Sequence, residues 1–313
     1  MSNVRVQFKD FWPDFEEKEN FFTSLFEKFG CKFSIVNENP DVIIFSVFGK
    51  YQHWSRLSRG VFPFSDQKVR KVFYTGEPLR KKKSLPFVVK QYDRIKNADL
   101  NLTFQNTDEY NNIRLPLWIL YYFYYSTSGC HKDMTLTNKS TDKFCCFIYS
   151  SHKAHRNAFC RTLSNYKNVD CAGRCLNNIG RLLGGGPEDK TNFQKPYKFS
   201  IAFENCTQTG YTTEKMLDAY KSNCIPIYYG SETIADDFNP ETFINAHEFK
   251  SQNELIDYIK EVDNNKELYQ TFLNKPIFSE EWLTRFGDPN EEFFKCIVRK
   301  IMGFSDHEKF NLM

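Results

Sequence analysis

The length and charge of the chain exclude several classes of protein. Its 313 residues exceed what one hydrophobic core usually supports, so we expect two domains. A formal net charge of +3 is too small to indicate a nucleic-acid-binding protein.

No segment of the sequence has the properties of a membrane helix or a secretion signal. The run from Leu117 to Tyr125 is far shorter than the roughly 20 apolar residues that cross a bilayer. The N-terminus also lacks a basic segment followed by an apolar one. We therefore expect no membrane segment in this chain and a soluble, cytoplasmic protein. A Golgi-lumenal location would require that an N-terminal anchor had been removed.

The ten cysteines do not form the framework of a disulfide-rich or zinc-binding protein. Paired C-x-x-C modules are absent, so a structural zinc site is not expected. Free, buried thiols in a reducing compartment are the favoured interpretation. If one disulfide forms, the expected pair is Cys171 with Cys175, which flank a Gly-Arg dipeptide.

The first half of the chain has the pattern of an α/β domain. The predicted elements are a strand at Val4–Phe8, an amphipathic helix at Glu17–Phe29, a buried strand at Asp41–Phe48 and a strand at Val69–Tyr74. The last strand places Glu77 just beyond its carboxyl end. Ligands of open α/β sheets bind at that edge, so Glu77 is a candidate functional residue. The polar stretch 126–142 is the predicted linker.

The second half begins with a predicted strand at Lys143–Tyr149 and a helix at Ala154–Tyr166. Arg156 lies in the first turn of that helix. A cation beside the N-terminus of a helix suits a bound anion, and a guanidinium can grip two phosphate oxygens at once. Considered alone, Arg156 would more often be a surface charge.

The segment from Lys198 to Phe249 is the most informative part of the chain. A predicted strand, Phe199–Phe203, ends in Glu204 and Asn205, and a polar turn leads to a helix that Thr212 or Thr213 should cap. Glu214 and Lys215 then stand in the first helical turn. An ammonium there suits a bound anion, which we interpret as a diphosphate, with Glu214 accepting hydrogen bonds from sugar hydroxyls. The alternative is an ordinary helix start with a solvated Glu-Lys pair.

The motifs of this segment resemble a known family. FSIAFEN, GYTTEKMLDAY, IPIYYGS and DFNP, in this order and spacing, are similar to the signature of the α-1,3/1,4-fucosyltransferases. Upstream, YTGE, HRNAF and GRCLNNIG also match in order. The similarity covers most of residues 69–250 and is weak outside them. Two positions depart from the pattern: Cys206 stands where Ser is expected, and Tyr229 replaces Trp.

The resemblance implies a GT-B fold, in which two Rossmann-like domains face each other across a cleft. Residues 1–130 would form the acceptor-side domain and residues 140–280 the domain that binds GDP-fucose. A helical segment, 281–313, would follow and could pack back on the first domain. The family transfers L-fucose from GDP-fucose to a sugar hydroxyl, so the expected partners are GDP-fucose and a glycan acceptor. A GlcNAc-containing glycan and an α1,3 linkage are the first expectation, and an α1,4 or other linkage and another acceptor sugar stay open.

The chemistry of such a transfer assigns a role to each candidate residue. Arg156 and Lys215 would stabilise the departing diphosphate, and Glu77 would take the proton of the acceptor hydroxyl in an inverting displacement. Glu204 and Glu214 would contact donor hydroxyls or the cationic sugar, with Glu204 as the alternative base. Asn205 and Tyr211 are further donor-site candidates, and for both residues a structural role in turn hydrogen bonding and packing is weighted equally with donor binding.

A metal cofactor is not required by this design. The sequence has no DxD motif at the end of a strand, and two cations already neutralise the diphosphate. A divalent metal would at most stimulate the reaction. Two other classes stay open: a transferase of the same architecture with another nucleotide sugar, and a non-catalytic protein that binds nucleotides or glycans.

Overall fold

The computed structural model describes residues 3–48, 68–79, 94–126, 134–141, 143–183, 186–286 and 291–304. The chain divides into two compact units. One consists of Met1–Leu120 with Asp288–Met313, and the other is Tyr121–Gly287. Within the described ranges, no helix has the length and apolar character needed to span a bilayer.

Each unit contains parallel strands and α-helices. The strands are β1 (Val4–Lys9), β2 (Phe33–Ile35), β3 (Val42–Phe45), β4 (Arg70–Tyr74), β5 (Leu100–Thr103), β6 (Asn112–Arg114), β7 (Lys143–Phe147), β8 (Val169–Cys171), β9 (Tyr197–Phe203), β10 (Ile225–Tyr229) and β11 (Ile244–Asn245). The α-helices are α1 (Phe21–Lys28), α2 (Leu117–Ser126), α3 (Ala154–Ser164), α4 (Pro187–Gln194), α5 (Lys215–Lys221), α6 (Gln252–Asn264), α7 (Lys266–Gln270), α8 (Glu280–Phe286) and α9 (Glu292–Met302).

The first unit is built on a parallel sheet with the strand order β2-β1-β3-β4-β5-β6. The central strands β3 and β5 are buried along their whole length, as expected of strands covered on both faces. Helix α1 begins later than predicted because Asn20 caps it. The Asn20 side chain accepts hydrogen bonds from the backbone N–H groups of Phe22 and Thr23.

Helix α9 returns to the first unit and packs beside α1. The Phe294 ring lies 6.4 Å from that of Phe21, and Glu291 accepts a hydrogen bond of 2.6 Å from Lys28. The carbonyl of Lys300, near the end of the helix, accepts a hydrogen bond of 2.7 Å from Arg70. These contacts fix the last described helix on the amino-terminal sheet.

The second unit contains a parallel sheet with the strand order β11-β10-β9-β7-β8. Strand β9 lies in the middle, and its residues from Phe199 to Phe203 are all buried. The apolar run in the sequence therefore marks the centre of this sheet. The two parallel sheets confirm the predicted α/β class with two Rossmann-like domains.

The described cysteines are all free. Cys171 is buried in β8, and its sulfur lies 3.4 Å from that of Cys160 on α3. The predicted partner, Cys175, is partly exposed and forms no disulfide. The interpretation of buried free thiols agrees with this arrangement.

Candidate functional site

The candidate site lies at the carboxyl ends of β9 and β10, where ligands of parallel sheets usually bind. The chain leaves β9 at Phe203 and β10 at Tyr229. A hydrogen bond of 2.7 Å from the Glu204 N–H to the Tyr229 carbonyl continues the strand pairing by one residue. The side chain of Glu204 is therefore held at a fixed place on this edge.

The Glu204 carboxylate is completely buried and fully engaged. It accepts hydrogen bonds from the backbone N–H of Thr213 at 2.7 Å and from the Thr213 hydroxyl at 2.9 Å. The ammonium of Lys215 approaches it to 3.1 Å. A buried charge requires such compensation, because burial without partners would cost several kcal/mol.

These contacts overturn one detail of the predicted helix start. Neither Thr212 nor Thr213 caps α5; Glu214 occupies the N-cap position, and its side chain makes no capping hydrogen bond. The Thr213 hydroxyl instead contacts Glu204 and accepts a hydrogen bond of 2.6 Å from Lys215. Because the Thr213 hydroxyl donates to the buried Glu204 carboxylate, it does not cap the helix N-terminus.

Lys215 is the first residue of α5, and its side chain is 17% exposed. Burial acts to lower its pKa, but the carboxylates of Glu204 and Glu214 outweigh burial and raise the pKa above the ordinary lysine value. The Glu214 oxygen lies 3.7 Å from the ammonium. Lys215 therefore carries a positive charge at neutral pH.

Arg156 lies in the first turn of α3 and is 1% exposed. Its guanidinium donates to the Asn205 side-chain oxygen at 2.8 Å and to the Phe203 carbonyl. Burial lowers the pKa of Arg156, and the nearby Glu204 carboxylate opposes this. The Nε atom has no hydrogen-bond partner among the described residues. A buried N–H without a partner calls for an acceptor.

Arg156 and Lys215 thus bind the same short segment, residues 203–205. Arg156 binds Phe203 and Asn205, while Lys215 binds Glu204 between them. The charge of Arg156 also acts to lower the pKa of Lys215, but the two carboxylates outweigh this effect. The structure brings these sequence-predicted residues together at one edge of the second sheet.

Tyr211 and Glu214 complete the group of predicted residues in this unit. Tyr211 is buried in the turn before α5, where its N–H donates to the Gln208 carbonyl at 3.0 Å and its side chain influences the pKa of Arg156. Glu214 lies between Lys215 and Lys190, at 3.7 and 3.8 Å.

Lys190 is a site residue that the sequence did not reveal. It projects from α4 and also approaches Asp218, at 3.7 Å. Glu214, the N-cap residue of α5, and Asp218 are four residues apart, a spacing that could have suggested a shared cation. No local pattern in the sequence indicates that the cation comes from α4.

Gly230 follows β10 because no larger residue fits there. A Cβ atom at this position would lie 2.4 Å from the Tyr228 hydroxyl and 2.6 Å from Glu204 Cγ. The preceding residue, Tyr229, stacks on His247 with ring centres 4.9 Å apart. Tyr229 also lies 5.5 Å from His155, so its ring packs against two histidines at this edge.

Glu214 makes stability depend on pH in the acid range. Burial acts to raise its pKa, but Lys215 and Lys190 outweigh burial and lower the pKa from 4.5 to about 2. A lowered pKa stabilises the folded state above about pH 4.5, and this contribution is lost as the pH falls toward 2. We expect Glu214→Gln to lower stability at pH 7 and to flatten the fall in denaturation midpoint between about pH 5 and 2. If the denaturation midpoints of the wild type and of Glu214→Gln changed in parallel with pH, the role assigned to Glu214 would be contradicted.

Glu77, the predicted base, belongs to the other unit. It follows β4, is half-buried, and its N–H donates to the Thr75 hydroxyl at 3.0 Å. Thr75 is itself buried, so this turn fixes the backbone of Glu77 at the carboxyl edge of the first sheet. Its catalytic role stays a prediction.

No group of three or more His, Cys, Asp or Glu side chains in the described part of the chain is arranged to hold a metal ion. The site in the second unit contains carboxylates, but each contacts a lysine. The carboxylates of this site therefore form ion pairs with lysines.

Both units of the chain match models of known protein families. Residues 138–280 match the model of the C-terminal part of glycosyltransferase family 10 (fucosyltransferase), and residues 6–121 match the N-terminal domain of alpha-(1,3)-fucosyltransferase FucT. The chain belongs to glycosyltransferase family 10. The resemblance noted from the motifs is confirmed, and it extends into the first 68 residues, where the motifs gave little signal.

Two relatives of this family 10 chain illustrate the similarity. It is 30% identical over 292 residues to the alpha-(1,3)-fucosyltransferase FucT of Helicobacter pylori, covering 86% of this chain and 59% of that protein. It is 29% identical over 163 residues to the human GDP-fucose protein O-fucosyltransferase 3, covering 50% of this chain and 33% of that protein. The chain thus spans about a third to three fifths of the length of these relatives.

A solved structure shares the fold of the whole chain. The crystal structure of an α1,3-fucosyltransferase with GDP-fucose superposes with a TM-score of 0.70, covering 99% of this chain and 93% of that one, at 24% identity. The predicted GT-B fold class is confirmed by this match.

Proposed function

We propose that this family 10 protein transfers L-fucose from GDP-β-L-fucose to a hydroxyl of a GlcNAc-containing glycan, with an α1,3 linkage and inversion at the anomeric carbon. The observation that carries the proposal is the pair of buried cations, Arg156 and Lys215, on residues 203–205 at the carboxyl edge of the second sheet. The name of the O-fucosyltransferase relative and the solved structure with GDP-fucose both support this donor.

In this proposal the two cations bind the diphosphate of the donor. Lys215 stands at the start of α5 and Arg156 in the first turn of α3, so helix N-termini add to their charge. The Arg156 Nε, which lacks a partner among the described residues, gains a phosphate oxygen. Charge neutralisation at the leaving group stabilises the transition state more than the ground state.

The remaining donor-side residues orient the sugars. Glu214 accepts hydrogen bonds from hydroxyls of the ribose or fucose, because its lowered pKa keeps it ionised. Glu204 holds Lys215 and lies close to the cationic sugar. Asn205 accepts a hydrogen bond from Arg156 and Tyr211 acts on the pKa of Arg156, so both are assigned to the donor side.

The chemical step is a single displacement. The acceptor oxygen attacks the anomeric carbon from the face opposite GDP, and its new bond forms as the bond from carbon to phosphate oxygen breaks. GDP leaves with the electron pair, and the acceptor proton passes to the Glu77 carboxylate. The β-linked donor becomes an α-fucoside. No metal is needed, because Arg156 and Lys215 supply the positive charge at the leaving group.

A transfer assay tests the proposed function. Incubation with GDP-fucose and N-acetyllactosamine in EDTA should yield an α-fucoside, and addition of a divalent metal should change the rate only a few-fold. GDP-mannose and UDP-galactose should give no product. Transfer from either of these donors at a comparable rate would reject the donor assignment, and complete loss of activity in EDTA would reject the metal-free mechanism.

A further inference from the structure

The carboxyl edge of the first sheet carries aromatic side chains that the donor chemistry does not use. Phe11, Trp12 and Phe15 follow β1, and Phe48 follows β3. The Trp12 and Phe48 rings meet edge to face, with centres 6.3 Å apart. Phe48 is 41% exposed and Trp12 is half-buried. We call Trp12 and Phe48 the aromatic platform.

Backbone contacts fix the two loops that carry the platform. The Phe48 N–H donates to the Asp10 carbonyl at 2.8 Å, and the Ser46 N–H donates to the Lys9 carbonyl at 3.1 Å. The loop after β3 is therefore tied directly to the loop after β1. Exposed aromatic rings on backbone held in this way are preorganised for a ligand, since little conformational entropy is lost on binding.

A buried arginine holds both loops from the protein interior. Arg94 is almost fully buried, forms an ion pair of 2.8 Å with Asp10 and donates a hydrogen bond to the Ser46 carbonyl. Asp10 has a φ of 57°, a left-handed conformation that is uncommon outside glycine. The Ser46 hydroxyl is buried without a hydrogen-bond partner in the described part of the chain. Strained backbone clusters at functional sites, and a buried polar atom without a partner requires an explanation.

The platform lies on the same edge as Glu77. Strands β1, β3 and β4 are adjacent and parallel, with Lys9 opposite Phe45 and Phe45 opposite Phe73. Glu77 follows the strand next to that of Phe48. Neighbouring strands lie about 4.8 Å apart, so a ligand the size of one or two sugar rings spans this distance.

We infer that the aromatic platform binds a pyranose ring of the acceptor by stacking against its apolar face and directs a hydroxyl of that ring toward Glu77. This inference rests on the proposed function and names the acceptor subsite for it. The platform side chains are uncharged, which suits a neutral sugar and not the diphosphate of the donor. Aromatic rings provide a large apolar contact at small entropic cost.

Substitution of the exposed ring tests the inference. Phe48→Ala is expected to raise the KM for N-acetyllactosamine about tenfold, equivalent to about 1.4 kcal/mol, and to leave the KM for GDP-fucose near the wild-type value. Phe48→Tyr, which keeps an aromatic ring, should restore most of the acceptor affinity, whereas Phe48→Leu should not. The matched control is Tyr110→Ala. Tyr110 is 50% exposed and precedes β6, so it lies at the amino end of a strand, whereas the platform follows the carboxyl ends. Its removal should change neither KM.

The outcomes separate this inference from the proposed function. Equal acceptor KM values for Phe48→Ala and Tyr110→Ala would overturn the subsite while leaving the fucosyltransferase assignment in place. A rise in the KM for GDP-fucose alone would place Phe48 on the donor side and also overturn it. If the wild type hydrolyses GDP-fucose but transfers nothing to N-acetyllactosamine, the acceptor assignment fails together with the subsite. If it does neither, the proposed function itself fails.

Discussion

Replacement of Glu77 by Gln is expected to lower kcat about a thousandfold while binding of GDP is retained. Glutamine has nearly the same shape as glutamate but cannot accept the proton of the attacking hydroxyl. General-base catalysis typically contributes about 10²- to 10⁴-fold. The carboxylate follows β4 on backbone fixed by Thr75, so the substitution should disturb the fold little. Steady-state kinetics with GDP-fucose, together with calorimetric titration with GDP, measure the two effects.

The matched control for Glu77→Gln is the same substitution at an exposed glutamate of the same unit. Glu109 is exposed before β6, at the amino end of that strand, and Glu109→Gln should behave as the wild type. Transfer by Glu77→Gln at near the wild-type rate would show that Glu77 is not the base. The alternative, Glu204, is less suited to that role because it is buried against Thr213 and Lys215.

Replacement of Arg156 by Ala is expected to lower kcat/KM for GDP-fucose by about 10²- to 10³-fold. Hydrogen bonds to charged groups contribute about 1.5–3 kcal/mol, and loss of one partner from a buried ionic network costs about 3–5 kcal/mol. The substitution removes both the diphosphate contact and the charge that faces Glu204. The affinity for GDP, measured by calorimetry, should fall with kcat/KM.

Control variants separate loss of binding from loss of folding. Arg156→Lys keeps the charge but lacks the planar fork, so it should bind GDP with intermediate affinity and melt close to the wild type. Arg161 is exposed in the last turn of the same helix, and Arg161→Ala should change neither stability nor affinity. An unchanged GDP affinity in a folded Arg156→Ala protein would reject the role of this residue.

Strands β1, β3, β4, β7 and β9 were predictable from sequence, because parallel strands buried on both faces are continuous apolar runs. The short strands β2, β5, β6 and β8 were not predicted. The runs at Asp41–Phe48 and Phe199–Phe203 locate central strands of the two sheets, although the first strand ends at Phe45. Beyond Phe45 the chain turns to make the Phe48 contact with Asp10, which the apolar character of the run does not show.

The details of the site depend on contacts between distant parts of the chain. Thr213 resembles a helix cap in sequence, but the buried Glu204 carboxylate, nine residues earlier, binds its hydroxyl instead. Lys190 reaches Glu214 from another helix, and sequence spacing carries no information about that approach. The residue types of the site were predictable, whereas their partners required the structure.

The most direct test of this account is a crystal structure of the protein with GDP. Charge-assisted hydrogen bonds to phosphate oxygens are about 2.7–2.9 Å long. The account predicts such contacts from the pyrophosphate to the Arg156 guanidinium, including Nε, and to the Lys215 ammonium. A nucleotide bound with its pyrophosphate away from both side chains would contradict it.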